Sequence, residues 1–154
     1  PFLLVFNTQK NANFYGIEAD TTYRLMEGKW GDLDFRLWGD WVRAKFTDGS
    51  NVPRMPPWRV GGNLEYNYAE WTGSVDIWRV GEQDDTAELE TDTPGYTMLN
   101  LNVVYKIPTK PVDFSIFLRG TNLLNEDARR STSFLKDVAP LPGRAAVIGL
   151  RGDF

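Results

Sequence analysis

The sequence contains no cysteine and no histidine. Without cysteine there is neither a disulfide framework nor a thiolate metal site. Without histidine, the commonest general base and metal ligand near neutral pH is also missing. Nucleophile arrangements that pair serine or cysteine with histidine are therefore excluded, which leaves carboxylate pairs as the main acid–base option. Neighbours such as Asp84 and Asp85 lack the fixed separation that glycoside chemistry needs, so no enzyme activity is expected. Basic runs are absent as well. Arg129 and Arg130 are only a pair and the net charge is −4, which argues against a nucleic-acid partner. The longest apolar run covers residues 2–6, far short of the roughly 20 residues a membrane-spanning helix requires. Any membrane crossing must use strands. The chain begins at Pro1 with no basic-then-apolar leader, and is expected to be a mature or excised piece.

Aromatic residues, by contrast, are abundant. Six Trp, six Tyr and nine Phe occur in 154 residues, many of them in segments that alternate with a period of two. The clearest is 144–154. Ala146, Ile148, Leu150, Gly152 and Phe154 share one face, against Ala145, Val147, Gly149, Arg151 and Asp153 on the other. Terminal residues of soluble domains usually fray. A strand that ends on Phe is explained if its apolar face meets lipid and its last ring sits at the lipid boundary, where aromatics are favoured. Ile148, Leu150 and Phe154 then mark a membrane-insertion strand. On this stretch alone, an edge strand of a soluble sheet fits equally well.

The same alternation recurs upstream. Across 12–25, Tyr15, Ile17, Ala19, Thr21, Tyr23 and Leu25 oppose Phe14, Gly16, Glu18, Asp20, Thr22 and Arg24. Leu33, Phe35, Leu37, Gly39 and Trp41 then oppose Asp34, Arg36, Trp38 and Asp40. Further strands are read over 58–68, 71–78, 97–107 and 113–121, and the short segment 2–6 brings the number to about eight. Most are roughly ten residues or longer, against a mean of about five or six in soluble sheets. About ten tilted residues cross the hydrocarbon layer of a bilayer. The connections alternate too: short at 27–32, 69–70 and 108–111, long at 45–57, 81–95 and 122–142. Outer-membrane barrels have this asymmetry, with short periplasmic turns and long outer loops.

Two aromatic girdles are expected. Trp30, Tyr66, Tyr68, Trp71, Tyr105 and Phe154 lie near the short turns, and Trp41, Trp58 and Tyr96 near the long loops. The other faces carry Asp20, Arg24, Asp34, Arg36, Asp40, Arg59, Glu65, Asp76 and Arg119, suited to ion pairs in a wet lumen. The expected fold is all-β, an antiparallel transmembrane β-barrel with about eight strands in this chain. A β-sandwich whose core is filled by the same rings is the alternative, and alternation does not separate the two.

Loop 81–95 is the candidate ligand loop. Asp84, Asp85, Glu88, Glu90 and Asp92, with Glu82, offer clustered carboxylate oxygens suited to a hard cation or a cationic ligand. The plainer reading is a solvated acidic loop. The spacing fails the calcium-loop pattern, so no metal site and no cofactor are expected.

Several short stretches carry a family resemblance. They are Asn13 with Phe14, Tyr15, Gly16, Ile17 and Glu18; Pro56, Pro57 and Trp58; Pro94 and Gly95 with the strand after them; Arg119, Gly120, Thr121, Asn122, Leu123, Leu124 and Asn125; Pro142, Gly143 and Arg144; and Phe154. In this order and spacing the chain resembles the C-terminal part of a TonB-dependent outer-membrane receptor. That family builds barrels of about 22 strands around an N-terminal plug. The resemblance implies a bacterial outer-membrane location, the last eight strands of such a barrel over 1–154, and outer loops that capture a scarce nutrient such as a metal ion or its chelate. It also implies outer-membrane lipid and a TonB-type energy-coupling protein as partners, the latter through an N-terminal region not in this sequence. No plug and no energy-coupling box are present here. Alternatively, eight strands can close as a small barrel with an anchoring or adhesive role. Residues 133–144 are similar to the matching segment of the zinc-uptake branch, although Arg130 and Ser131 stand where a histidine is expected there.

Overall fold

A computed structural model describes residues 9–153 of the chain. Seven strands account for most of it: β1 (Ala12–Met26), β2 (Asp32–Phe46), β3 (Arg59–Tyr68), β4 (Trp71–Val80), β5 (Tyr96–Ile107), β6 (Asp113–Thr121) and β7 (Ala145–Asp153). They form one up-and-down antiparallel sheet in sequence order, each strand paired with the next. No helix occurs among the described residues. Among the described residues the sheet is open, with β1 and β7 as its outermost strands and no pairing between them. The expected strand at 2–6 and Phe154 lie outside the described residues.

Register turns the alternation of single strands into two continuous faces. Ile17 lies opposite Trp41, Leu37 opposite Gly62, Leu64 opposite Val75, Ile77 opposite Leu99, Val103 opposite Leu118, and Leu118 opposite Ile148. A one-residue slip anywhere would send one strand's apolar set to the wrong face. This face is bare: Ile17 is 70% exposed, Ile77 50% and Ile148 75%, so the rings and branched side chains fill no sandwich core. Contiguous apolar surface on this scale needs a cover, and for a single-layer sheet of strands about ten residues long that cover is lipid.

Aromatic rings bracket the aliphatic band on this face. At the turn end, Trp71 and Tyr105 pack with centroids 4.6 Å apart, Tyr66 stacks on Tyr68 at 6.4 Å, and the Tyr66 hydroxyl donates to the Trp30 carbonyl at 2.6 Å. At the loop end, Tyr15 meets Trp41 edge-on at 5.6 Å. Tyr96, expected in this outer row, is not part of it. Its position alternates with Thr97 and Leu99, which places it on the polar face, where it is buried with Val80, Met98 and Ala128.

The polar face carries the anticipated ion pairs. The Arg24 Nε donates to Asp34 at 2.7 Å, Arg36 to Asp20 at 3.0 Å and Arg59 to Asp40 at 3.0 Å, while Asn63 donates to Asp76 at 2.8 Å. All are cross-strand neighbours, the arrangement in which opposite charges stabilise a sheet. Two aromatic rings on this face lie across glycines. Trp38 covers Gly61 and Phe117 covers Gly149, each its direct register partner. The rings occupy the space a Cβ would need, a device that restores packing where glycine leaves a gap.

One boundary differs from expectation. A loop was expected from residue 45, yet β2 continues to Phe46, pairing Val42 with Gly16, Ala44 with Phe14 and Phe46 with Ala12. Arg43 and Lys45 occupy apolar-face positions there, so the hydrophobic alternation stops before the strand does.

Candidate functional site

The three long connections, 47–58, 81–95 and 122–144, gather at one end of the sheet and are stitched to one another. Backbone bonds between Gln83 and Thr93, at 2.9 and 3.0 Å, close a narrow neck at the base of loop 81–95. The Gln83 side chain donates to the Met55 carbonyl at 2.8 Å, and Asn51 donates to the Thr86 carbonyl at 3.0 Å. From the third loop, the buried Lys136 donates to the Thr91 carbonyl at 2.7 Å and to Asp137 at 3.0 Å. Arg54 lies over the Phe134 ring. Ala128 and Leu141 fold back onto Val80, Tyr96, Met98 and Trp78, so the third loop covers the polar side of β4 and β5 at their loop ends.

The candidate acidic residues have separate roles. Asp84 lines a cavity of about 270 Å³ together with Trp41, Trp58, Arg43 and Glu82. Asp85 is ion-paired with Arg43. Glu90 accepts from the backbone N–H groups of Arg54 and Ala87, each at 3.0 Å, and so holds its own loop to the neighbouring one. Asp92 accepts a longer bond from the Thr86 hydroxyl at 3.4 Å. Glu88 is exposed beside Leu89 and Pro53. Among the described residues no three acidic groups converge in a way that would hold a metal ion. Loop 81–95 is thus a folded, hydrogen-bonded loop in which some carboxylates brace structure and others face solvent.

Ile148 and Leu150 stand on the apolar face of β7, opposite Leu118 and Ile116. Phe154, the third member of that set, falls outside the described residues.

Sequence reading missed the two residues that organise the loops. Asn122 is buried in a left-handed conformation with φ 48°, which asparagine tolerates better than most residues. Its side-chain amide donates to the carbonyls of Glu126 and Pro142, its side-chain oxygen accepts from the Glu126 N–H, and its own N–H donates to Asn100. The stretch from Asn122 to Asn125, matched above only as a family signature, is a physical hinge pin for loop 122–144. Lys136 gave no sequence signal, because Thr91, the partner that ties it to the second loop, lies 45 residues away. Hydrogen bonds from Lys136 and Thr91 hold the Asp137 carboxyl below the usual carboxylate range.

A single-layer antiparallel sheet with a bare apolar face, aromatic rows at both margins and long loops at one end defines the wall of a transmembrane β-barrel. Residues 2–123 match the family described as "TonB dependent receptor-like, beta-barrel", and the chain belongs to that family. The match takes in β1 to β6 and ends just inside the loop that precedes β7. The family consists of outer-membrane receptors and transporters rather than enzymes, and it sets the context of bacterial outer membrane and TonB interaction.

Proposed function

We propose that this chain forms the C-terminal wall of a TonB-dependent transporter of about 22 strands, contributing its last eight, and that its loop end captures a scarce nutrient, a metal ion in chelated form. The bracing of three loops into one structure carries this reading. A preorganised mouth loses less conformational entropy on binding than three independent loops. A chelate fits better than a bare ion, since the carboxylates of loop 81–95 diverge whereas a chelate presents a larger surface that Asp84, Glu82 and Glu88 can meet from separate positions. Zinc is one candidate cargo, supported by the similarity of 133–144 to the zinc-uptake branch and weakened by the lack of histidine. Transport follows the family scheme, with the plug and the energy-coupling contact supplied by the N-terminal region. The test is uptake of labelled metal chelates by cells carrying the full receptor, with and without replacement of 84–92 by a Gly/Ser linker. Loss of uptake for one chelate with the barrel still inserted supports the proposal. Unchanged uptake of every chelate tried overturns it.

A further inference from the structure

The sheet has a break at its loop end. β2 pairs with β1 as far as Phe46, whereas β3 joins β2 only from Arg59, opposite Asp40. Past Asp40, β2 has no strand on that side until the single bridge between Lys45 and Asn51. The returning chain passes this edge at Pro56 and Pro57, which carry no N–H and so cannot extend the ladder. The start of loop 81–95 closes over the break, tied down by the Gln83 bond to Met55 and by the ion pair between Arg43 and Asp85. Between these three segments lies the cavity of about 270 Å³.

Its lining has an excess of negative charge. Glu82, Asp84 and Asp85 meet one lining cation, Arg43, which is committed to Asp85, and among the described residues Glu82 and Asp84 have no cationic partner. Two indoles share the space, Trp41 and Trp58, the latter lying across Gly81 in the volume a side chain there would need. Gln83 supplies the third component. Its side chain is more than nine-tenths buried and its amide N–H donates to Met55, while its amide oxygen accepts no hydrogen bond among the described residues. With the nitrogen committed, that oxygen is the polar atom Gln83 has left to offer the cavity it lines. A buried acceptor without a donor is costly, which calls for an N–H or O–H from outside the chain.

Amide oxygen, uncompensated carboxylates and indole faces together complement one chemistry. An alkylammonium group brings three N–H donors and a positive charge, so it can donate to the amide and to a carboxylate while its charge lies against an indole. A bare metal ion matches less well, because indoles supply no ligand atoms and no three acidic groups converge among the described residues. Arg43, already seated against Asp85, shows that the cavity accommodates a cation. We propose that this cavity binds a primary ammonium group, and that the nutrient captured at the loop end carries one. The second half of the inference rests on the reading of the mouth as the capture site.

The experiment titrates the full receptor in detergent at neutral pH with 2-(2-aminoethoxy)ethanol and with diethylene glycol, its uncharged counterpart, binding being read by saturation-transfer NMR. The amine is expected to bind and the diol is not. Asp84→Asn is expected to weaken amine binding about tenfold, the worth of one charge-assisted hydrogen bond. Trp58→Leu is expected to weaken it about threefold and Trp58→Phe, which keeps a π face, to retain most of it. Glu70→Gln, the same loss of charge at the turn end, is expected to change nothing. Equal signals from the two probes in the parent, or an unchanged affinity in Asp84→Asn, overturns the inference. Replacement of 84–92 tests the capture reading separately. If uptake of every chelate survives that replacement while amine binding in the parent depends on Asp84, the capture reading fails and the ammonium site remains. If uptake is lost but the amine does not bind, this inference alone fails.

Discussion

The strand wall and the loop mouth are held together by different physics. In the wall, stability comes from a repeated rule: each strand presents apolar side chains to one face and polar ones to the other, and seven strands obey it in register. In the mouth, a few non-local hydrogen bonds made by buried polar groups carry the structure, chiefly those of Asn122, Gln83 and Lys136. A periodic rule tolerates local noise on its polar side and punishes a charge on the other. A sparse network has no redundancy, so losing one hub releases a whole loop.

The largest expected effect tests the two faces of the wall. Leu101 lies mid-strand on the apolar face, opposite Val75 and Gly120, and its neighbour Asn102 is on the polar face. Leu101→Arg is expected to destabilise the receptor in lipid vesicles by about 2–4 kcal/mol, the penalty of a cation near the bilayer midplane, and Asn102→Arg by about 1 kcal/mol or less. Denaturant unfolding followed by tryptophan fluorescence measures both. Equal penalties would mean that the faces have been assigned to the wrong environments.

The mouth has its own sensitive point. Asn122→Ala removes three side-chain hydrogen bonds and puts alanine at φ 48°, at an expected cost of about 2–3 kcal/mol. Asn122→Asp keeps the acceptor that serves the Glu126 N–H but loses the donor to two carbonyls, and is expected to destabilise by a similar amount. The loss should be local: hydrogen exchange is expected to rise across 122–144 and to remain slow in β3 and β4. Uniform acceleration would show that wall and mouth unfold as one unit.

These two regions also differ in how much the sequence discloses. The strands were legible because period-two alternation survives without knowledge of partners, and 113–121 was placed to the residue. The end of β2 was not, because Arg43 and Lys45 break the pattern just where the strand leaves the hydrocarbon. Tyr96 was misplaced onto the aromatic row because proximity to a loop says nothing about face, whereas its alternation with Leu99 does. In the mouth, the acidic residues of 81–95 were visible as a composition bias, yet their different roles depend on partners from elsewhere in the chain: Arg43 for Asp85 and Arg54 for Glu90. Lys136 looked like any surface lysine.

A smaller effect is expected where ring and glycine meet. Gly149→Val places a branched side chain where the Phe117 ring lies, and Gly61→Val does the same under Trp38. Each is expected to cost about 1–3 kcal/mol as overpacking. Gly149→Val combined with Phe117→Ala is expected to recover most of that cost, and the pair is measured as a double-mutant cycle. Failure of the second substitution to rescue the first would assign the glycine to backbone strain instead of ring cover.

The finest comparison concerns pH, and it separates the latch between the second and third loops from the rest of the mouth. Asp137 is bonded by Lys136 and Thr91, which lowers its carboxyl from the ordinary value near about 3.9. A depressed folded-state value stabilises the paired form fully above the unfolded value and loses that stabilisation as pH falls through the folded one. The latch is therefore expected to stay closed from neutral pH down to about pH 4 and to loosen only below it. Asp137→Asn removes the charge while keeping the shape, and is expected to abolish this acid transition without disturbing the neck between Gln83 and Thr93, whose bonds involve no titrating group. Hydrogen exchange at Lys136 and at Thr93, followed over the same pH range in parent and variant, reads the two contacts independently. If exchange at both sites accelerates together on acidification in the parent, the mouth opens as a single piece and the latch has no separate existence.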